Sequence, residues 1–315
     1  MLQEHSDAVE DAAVDHRQAL TNACATAPDT KPGNGTLGCS YTYSQTADAM
    51  MRACIESGTH YTDITGEIDV FLHGQSLSEA AKASGIVLMP GVGLDIIPTD
   101  SVASKLAEAL PDADHLVLGI DGDTEFSPGT AKTAVSVISD GMKVMRGGKL
   151  KSVSRSFEMR EIDFGDGKKS AGVVPWGDLG TAYYSTGIPN VTVYMPARIS
   201  AVQRILFPII QQFMRLSFVQ NQMKKRIDSK VKGPNATKRA SSPTYIWGEA
   251  TNKKGDKVTC RIQTQNGYEF TGNSIVFTAQ HLMKFQGAGG FFTPSQLLGI
   301  DAVSEMEGVS EMVLT

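Results

Sequence analysis

The sequence has few of the residues that build metal sites or disulfide frameworks. Its 315 residues include four cysteines and six histidines. Neither type forms a Cys-x-x-Cys or His-x-x-x-His pair, so no metal site is predicted. Cys24, Cys39, Cys54 and Cys260 are scattered along the chain, and we expect them to be reduced, partly buried thiols of a cytosolic protein.

The chain also lacks the patterns of nucleic-acid-binding and integral membrane proteins. A net charge of −5 leaves no positive field to gather phosphates, which argues against a general nucleic-acid binder. No apolar run reaches the roughly 18 residues of a membrane span. The polar, acidic N-terminus differs from a signal or transit peptide. We therefore expect a cytoplasmic protein with a substantial core.

Helices alternate with short apolar strands in the first third of the chain. Helices are predicted at 46–57, 77–84 and 100–110, the last with Asp100 as its N-cap. Strands are predicted at 60–64, 86–89 and 115–120. This alternation predicts a parallel sheet with right-handed crossovers.

After residue 120 the pattern is that of a mixed sheet. The predicted strands are 152–161, 171–175, 191–195, 244–250, 257–264 and 268–270, and the predicted helices are 129–139, 272–285 and 293–298. The fold class is therefore α/β. We predict an incomplete Rossmann-like domain over 1–120, an α+β substrate or dimerisation domain with a mixed sheet over 121–285, and a C-terminal segment, 286–315, that packs back on the first domain.

Residues 199–227 give the strongest signal for a long helix. Apolar side chains recur at helical spacing, and Pro208 is expected to kink the helix. A basic patch follows, formed by Lys224, Lys225, Arg226, Lys230, Lys232, Lys238 and Arg239. Two interpretations stay open: a core or homodimer helix with a solvated basic end, and an interfacial helix that touches an anionic membrane.

Two short acidic loops follow the strands at 60–64 and 86–89. The first contains Asp63, Gly66 and Glu67, and the second contains Gly93 and Asp95. Open α/β sheets bind ligands outside the carboxyl ends of their strands, so these loops form the predicted crevice. The acids either orient substrate and transfer protons or cap backbone N–H groups, and the glycines either face a ligand or allow a positive φ.

Further candidates lie downstream. Lys132 opens a predicted helix and either binds an anionic group or is a solvated surface residue. Trp176, Asp178, Tyr184 and Ser185 lie in a segment bounded by glycine and proline that could wall a substrate pocket. Tyr184 is the candidate phenolic proton donor, and packing at a domain interface is the alternative for it.

Several of these segments together resemble the saccharopine dehydrogenase-like oxidoreductases, which include the trans-acting enoyl reductases. The similar segments are 43–46, 53–67, 91–100, 129–133, 175–178, 184–190, 247–250, 267–269 and 293–295. The resemblance implies a Rossmann domain that binds NADP or NAD, and a second domain that closes over a small-molecule or acyl-chain substrate. It also implies hydride transfer to a C=N or C=C bond, with the nicotinamide carrying the hydride.

By the same resemblance the cofactor-binding residues are Tyr43, Ser44, Gly66, Gly93 and Asp95, and Asp63, Glu67 and Tyr184 are the candidate catalytic residues. Such proteins ordinarily begin with a strand, a glycine-rich turn and a helix that cradle the pyrophosphate. We identify no glycine-rich dinucleotide loop and no strand–turn–helix counterpart upstream of the crevice, and we expect a truncated or alternatively initiated chain. Two functions stay open: an oxidoreductase that holds its cofactor through the remaining crevice, and an inactive relative that serves as a binding module, with membrane contact through 199–239.

Overall fold

A computed structural model describes residues 43–122, 128, 131–132, 135, 141–153, 159–197, 209, 212–231 and 242–315. The expectations for the first 42 residues, including Cys24 and Cys39, lie outside these ranges. All of 199–208, including Pro208, lies outside them as well, as do the basic residues Lys232, Lys238 and Arg239.

Every labelled helix except α6 buries one face against a sheet or a neighbouring helix. In chain order they are α1 (Tyr43–Ser57), α2 (Ile68–Ser76), α3 (Ser78–Ala83), α4 (Ile97–Ala109), α5 (Asp178–Thr186), α6 (Ser217–Lys230), α7 (Gly267–Leu282) and α8 (Pro294–Leu298), followed by a 3₁₀ helix (Ile300–Glu305). The helix α2 was not predicted, and α6 has no buried side chain among those described.

The strands fall into two sheets. In chain order they are β1 (Tyr61–Thr62), β2 (Val87–Met89), β3 (Ala113–Asp121), β4 (Lys143–Arg146), β5 (Lys149–Ser152), β6 (Met159–Asp163), β7 (Lys168–Val173), β8 (Asn190–Pro196), β9 (Thr244–Asn252), β10 (Lys257–Thr264), β11 (Gly290–Phe291) and β12 (Val313–Leu314). Their pairing confirms the predicted fold class, α/β with a parallel sheet and a second, mixed sheet.

The smaller sheet is parallel and has the order β1-β2-β11 within the described residues. Tyr61 pairs with Leu88 across β1 and β2, and Phe291 of β11 pairs with Leu88 from the other side. All three strands are short and mostly buried, as expected for a parallel sheet with helices on its faces. The strand β11 comes from residues near the C-terminus of the chain, and it lies beside strands from the first third.

The larger sheet runs β12-β10-β9-β3-β8-β4-β5, with β7 also paired to β8 and β6 paired to β7. β3 and β8 are parallel, and the other pairs are antiparallel. β3 corresponds to the strand predicted at 115–120, so the expectation that this strand joins the smaller parallel sheet is wrong. Its apolar alternation is the same for either sheet, so only tertiary pairing decides between them.

Three local predictions are corrected by the structure. The helix α4 has Ile96 at its N-cap, and Asp100 lies fully buried in its first turn. The strand predicted at 268–270 is instead the first turn of α7, because the Asn266 side chain accepts a hydrogen bond from the Tyr268 N–H at 3.1 Å and caps a helix there. The single long helix predicted at 199–227 is interrupted at Leu216, which has extended backbone angles.

The two cysteines that the structure describes agree with the expected state. Cys54 and Cys260 are free thiols with fully buried side chains. Burial raises the pKa of both thiols to about 11, so they are protonated at neutral pH. Cys54 lies in the core around the smaller sheet, and Cys260 lies in the core of the larger one.

Candidate functional site

The two predicted acidic loops meet at the carboxyl ends of β1 and β2. The Val92 N–H donates to the Asp63 carbonyl oxygen at 2.7 Å, which joins the loops directly after the last strand pair. The two loops are therefore adjacent, as the sequence predicts. The local environment of each predicted crevice residue decides what that residue is able to do. These residues are Asp63, Gly66, Glu67, Gly93 and Asp95.

The Asp63 carboxylate joins the two loops through hydrogen bonds. Its Oδ1 accepts from the N–H groups of Thr65 and Gly91, both at 2.9 Å, and its Oδ2 accepts from the Tyr61 hydroxyl at 2.5 Å. Burial raises the pKa of Asp63, and these three donors lower it by less. Since every bond it makes is internal, the geometry favours the capping alternative over proton transfer.

Glu67 binds the N-terminus of α1. Its two carboxylate oxygens accept from the N–H groups of Tyr43 at 2.9 Å and Ser44 at 3.0 Å. These are the orphan donors of a helix N-terminus, where the helix dipole also favours a negative charge. The structure thus brings three predicted site residues together, but it does so through a helix cap.

Asp95 and Gly66 lie on opposite loops and face each other. A Cβ atom at Gly66 would lie 3.1 Å from Asp95 Oδ2 and 3.4 Å from Trp176 Nε1, so glycine gives both side chains room to approach. No described residue donates a hydrogen bond to the Asp95 carboxyl. Burial raises its pKa to about 6, close to the value at which an acid exchanges protons best near neutral pH.

A group of buried polar atoms without partners lies next to Asp95. Within the described residues, both carboxyl oxygens of Asp178, the Trp176 Nε1 and the Thr181 hydroxyl make no hydrogen bond, and Asp178 is fully buried. Burial raises the pKa of Asp178 well above its ordinary value, and the nearby charges of Asp95 and Asp100 raise it further, against a smaller opposing effect of the Thr99 hydroxyl. Burial therefore favours the protonated form of the Asp178 carboxyl.

Asp100 is a second buried acid, with a different environment. Its Oδ1 accepts from Ser185 Oγ at 2.7 Å, and its Oδ2 accepts from the Ser295 N–H at 2.8 Å. Asp100 thus binds the first turn of α8 rather than the helix that contains it. Burial raises its pKa, and these donors lower it by less.

Ser185 also lines a cleft of about 490 Å³ beside α4. The polar residues around it are Ser104, Glu108, Ser185, Thr186, Ser295 and Gln296. The structure therefore places this predicted substrate-binding residue next to a hollow of sufficient size for a small molecule. The cleft had no sequence signature, because its walls come from α4, α5 and α8.

Gly93 is covered by α7. A Cβ atom at Gly93 would lie 3.2 Å from the Thr271 hydroxyl, which also accepts from the Leu94 N–H at 3.1 Å. The Ser274 hydroxyl donates to the Val92 carbonyl at 2.8 Å. Sequence reasoning missed Thr271 and Ser274, since ordinary helix hydroxyls about 180 residues away give no signal.

Two predicted site residues, Tyr184 and Lys132, do not belong to the two loops. The Tyr184 ring packs edge-on against Phe291, with ring centres 5.0 Å apart, and is 39% exposed. Lys132 is half-buried in helical backbone, of which residues 128, 131, 132 and 135 are described. Proton donation by Tyr184 and anion binding by Lys132 stay predictions.

The crevice fits one end of a nicotinamide cofactor better than the other. Beside Gly66, the Asp95 carboxyl has no hydrogen-bond donor among the described residues, so a ligand donor could bind it. The N–H groups at the start of α1 are already bound by Glu67, and a side chain of α7 covers Gly93. The described residues therefore contain no pyrophosphate cradle.

The sequence does contain one Gly-x-Gly-x-x-Gly spacing, at Gly33, Gly35 and Gly38. The expectation that no glycine-rich loop precedes the crevice is therefore wrong as far as the spacing of the glycines is concerned. Pro28 and Pro32 stand where the motif needs a strand, so the required strand–turn–helix context is not predicted. These residues lie outside the described part of the chain.

No protein-family model and no curated protein matches the chain. Among solved structures, apo histidine-tagged saccharopine dehydrogenase (L-Glu forming) from Saccharomyces cerevisiae is similar, with a TM-score of 0.54 and 9% identity over 88% of this chain and 84% of that one. Amine dehydrogenase from Mycobacterium smegmatis has a TM-score of 0.38 and 13% identity over 81% of this chain and 73% of that one. The first likeness shows a shared fold, and the second is too low to carry an argument.

Proposed function

We propose that the chain is an oxidoreductase of the saccharopine dehydrogenase type that uses NADP or NAD to reduce or form a C=N or C=C bond. The observation that carries the proposal is the Asp95 carboxyl, which has no hydrogen-bond partner among the described residues and lies in a loop at the carboxyl ends of two parallel strands. The fold shared with saccharopine dehydrogenase supports it. A small molecule or an acyl chain is the proposed substrate.

Asp95 is the proposed proton donor of this reaction. A nicotinamide supplies the hydride, and the protein must supply or accept a proton at the neighbouring atom. Asp95 holds that proton on a carboxyl with a pKa of about 6, which favours both release and recovery near neutral pH. Trp176 and the fully buried Asp178 lie near this carboxyl.

Asp63 and Glu67 are proposed as positioning residues. Asp63 fixes the spacing between the two loops through the Gly91 N–H, and Glu67 fixes the start of α1 against the first loop. Neither carboxylate has to leave its bonds for the reaction to proceed. Their loss is therefore expected to change binding and stability more than the protonation of the substrate.

A titration of NADPH and NADH followed by fluorescence tests the proposal, with wild type, Asp95→Asn and the exposed-site control Asp69→Asn. The expected result is binding by all three proteins. Turnover of an imine or enoyl substrate should fall by about 10²- to 10⁴-fold in Asp95→Asn alone, since that is the range for loss of a general acid. Wild type that binds neither nucleotide at millimolar concentration would end the oxidoreductase proposal.

The second candidate is a binding module without catalysis. The observation that favours it is Glu67, which occupies the helix N-terminus where a ligand anion would bind. A Glu67→Ala variant separates the two candidates. If the chain is such a module, this variant should leave nicotinamide nucleotides unbound, as in wild type.

A further inference from the structure

Large apolar side chains are exposed in a short stretch before and at the start of α6. Ile209, Phe213, Leu216 and Phe218 are 56%, 61%, 53% and 76% exposed. These four side chains lie within ten residues of the chain, around the extended backbone at Leu216. Met214, which lies between them in the chain, is buried, whereas these four side chains are exposed.

A cluster of cations follows directly on α6. Lys224, Lys225, Arg226 and Lys230 lie at its middle and end, and within the described residues none of them pairs with a carboxylate. Over residues 209–231 the chain has five basic side chains and one acidic side chain, although the whole protein has a net charge of −5. Positive charge is therefore concentrated in this segment, although the protein as a whole has a negative net charge.

We propose that this 209–230 surface, the four exposed apolar side chains with the four cations, docks the protein peripherally on an anionic phospholipid bilayer. The apolar side chains enter the boundary between headgroups and acyl chains, and the cations bind lipid phosphates and carboxylates. A protein partner would more often bury such apolar side chains in a defined hollow than beside unpaired lysines. None of the described helices has the length and hydropathy of a membrane span.

Flotation with vesicles of phosphatidylcholine and phosphatidylserine, and with vesicles of phosphatidylcholine alone, tests the proposal on the full chain. Wild type should float with the anionic vesicles and lose this binding at high salt. The triple variant Lys224→Glu, Lys225→Glu, Arg226→Glu should bind about a hundredfold more weakly, since each cation near an anionic surface contributes about 1 kcal/mol. The double variant Phe213→Ser, Phe218→Ser should bind at least about tenfold more weakly.

Two matched controls separate this surface from general charge and hydrophobicity. Lys149→Glu with Lys151→Glu reverses exposed cations of β5, and Val276→Ser with Met283→Ser removes exposed apolar side chains on and beside α7. Both controls should float as wild type does. Equal flotation of wild type and the triple variant, or flotation on neutral vesicles alone, would overturn the proposal.

The competing occupant of the 209–230 surface is a second copy of the chain. Light scattering identifies it: a wild-type dimer that becomes a monomer in the Phe213→Ser, Phe218→Ser variant, with no flotation of wild type, would replace the lipid proposal. All changed positions are exposed or half-buried, so thermal melts of the variants should match wild type within a few degrees. The proposal is independent of the oxidoreductase activity, because none of these residues belongs to the crevice.

Discussion

Asp95 should destabilise the folded protein above pH 6, and Asp95→Asn should relieve that cost. Burial raises the pKa of this carboxyl from 3.8 to about 6 in the folded protein. Below about pH 4 both states keep the proton, and Asp95 has no effect on stability. Between pH 4 and 6 the unfolded chain releases the proton and the folded chain retains it, so stability falls as the pH rises.

The size of this effect follows from the difference between the two pKa values. A shift of roughly two units corresponds to about 3 kcal/mol at 1.36 kcal/mol per unit, and the cost stays constant above pH 6. Asparagine has nearly the same shape and does not titrate. The stability of Asp95→Asn relative to wild type should therefore rise by about 2 to 3 kcal/mol between pH 4 and pH 7.

Urea unfolding of both proteins at intervals from pH 4 to pH 8 measures this difference, because every other titrating group cancels in the comparison. Asp69→Asn is the matched control at an exposed position in the first turn of α2. Its effect should stay below about 1 kcal/mol at each pH. A stability difference between Asp95→Asn and wild type that does not change with pH would refute the reasoning, since a carboxyl with an ordinary pKa gives that result.

Three further predictions concern the acids Asp178 and Glu67 and the two buried thiols. Asp178→Asn should raise the melting temperature at pH 7 and leave it unchanged at pH 3, because the amide avoids the cost of keeping a buried acid protonated; a lower melting temperature at pH 7 would contradict this. Glu67→Ala should cost about 1 kcal/mol and speed amide exchange at residues 43–46, whereas unchanged exchange there would show that the cap is dispensable. Peptide mapping after iodoacetamide treatment should find Cys54 and Cys260 unlabelled in native protein and labelled in urea, and labelling in native protein would contradict their burial.

Much of the crevice was predictable from local patterns. A helix ended by Gly58 and a strand followed by an acidic loop give β1 and the Asp63 to Glu67 segment, and the same pattern gives β2 and the Gly91 to Asp95 segment. Parallel neighbours bring their carboxyl ends to one edge, so the meeting of the two loops follows from the sequence. The individual roles did not follow, because a carboxylate that caps a helix and one that awaits a ligand have the same sequence pattern.

Burial and long-range contacts decided those roles. Glu67 became a cap because α1, 23 residues earlier in the chain, starts beside it. Within the part of the chain that the structure describes, Asp95 has no hydrogen-bond donor, because neither Gly66 nor Trp176 beside it donates one. Asp100 looked like the cap of its own helix and instead binds α8, almost 200 residues away.

The sequence by itself determined the fold class, most helices and strands, and the two loops at the ends of β1 and β2, because hydrophobic periodicity and turn residues act over a few residues. Tertiary structure decided that β3 belongs to the larger sheet, that α7 covers Gly93, and that no described residue donates a hydrogen bond to the Asp95 carboxyl. Strand pairing, desolvation and hydrogen bonding across the chain set these outcomes, and they depend on which residues the fold brings together in space.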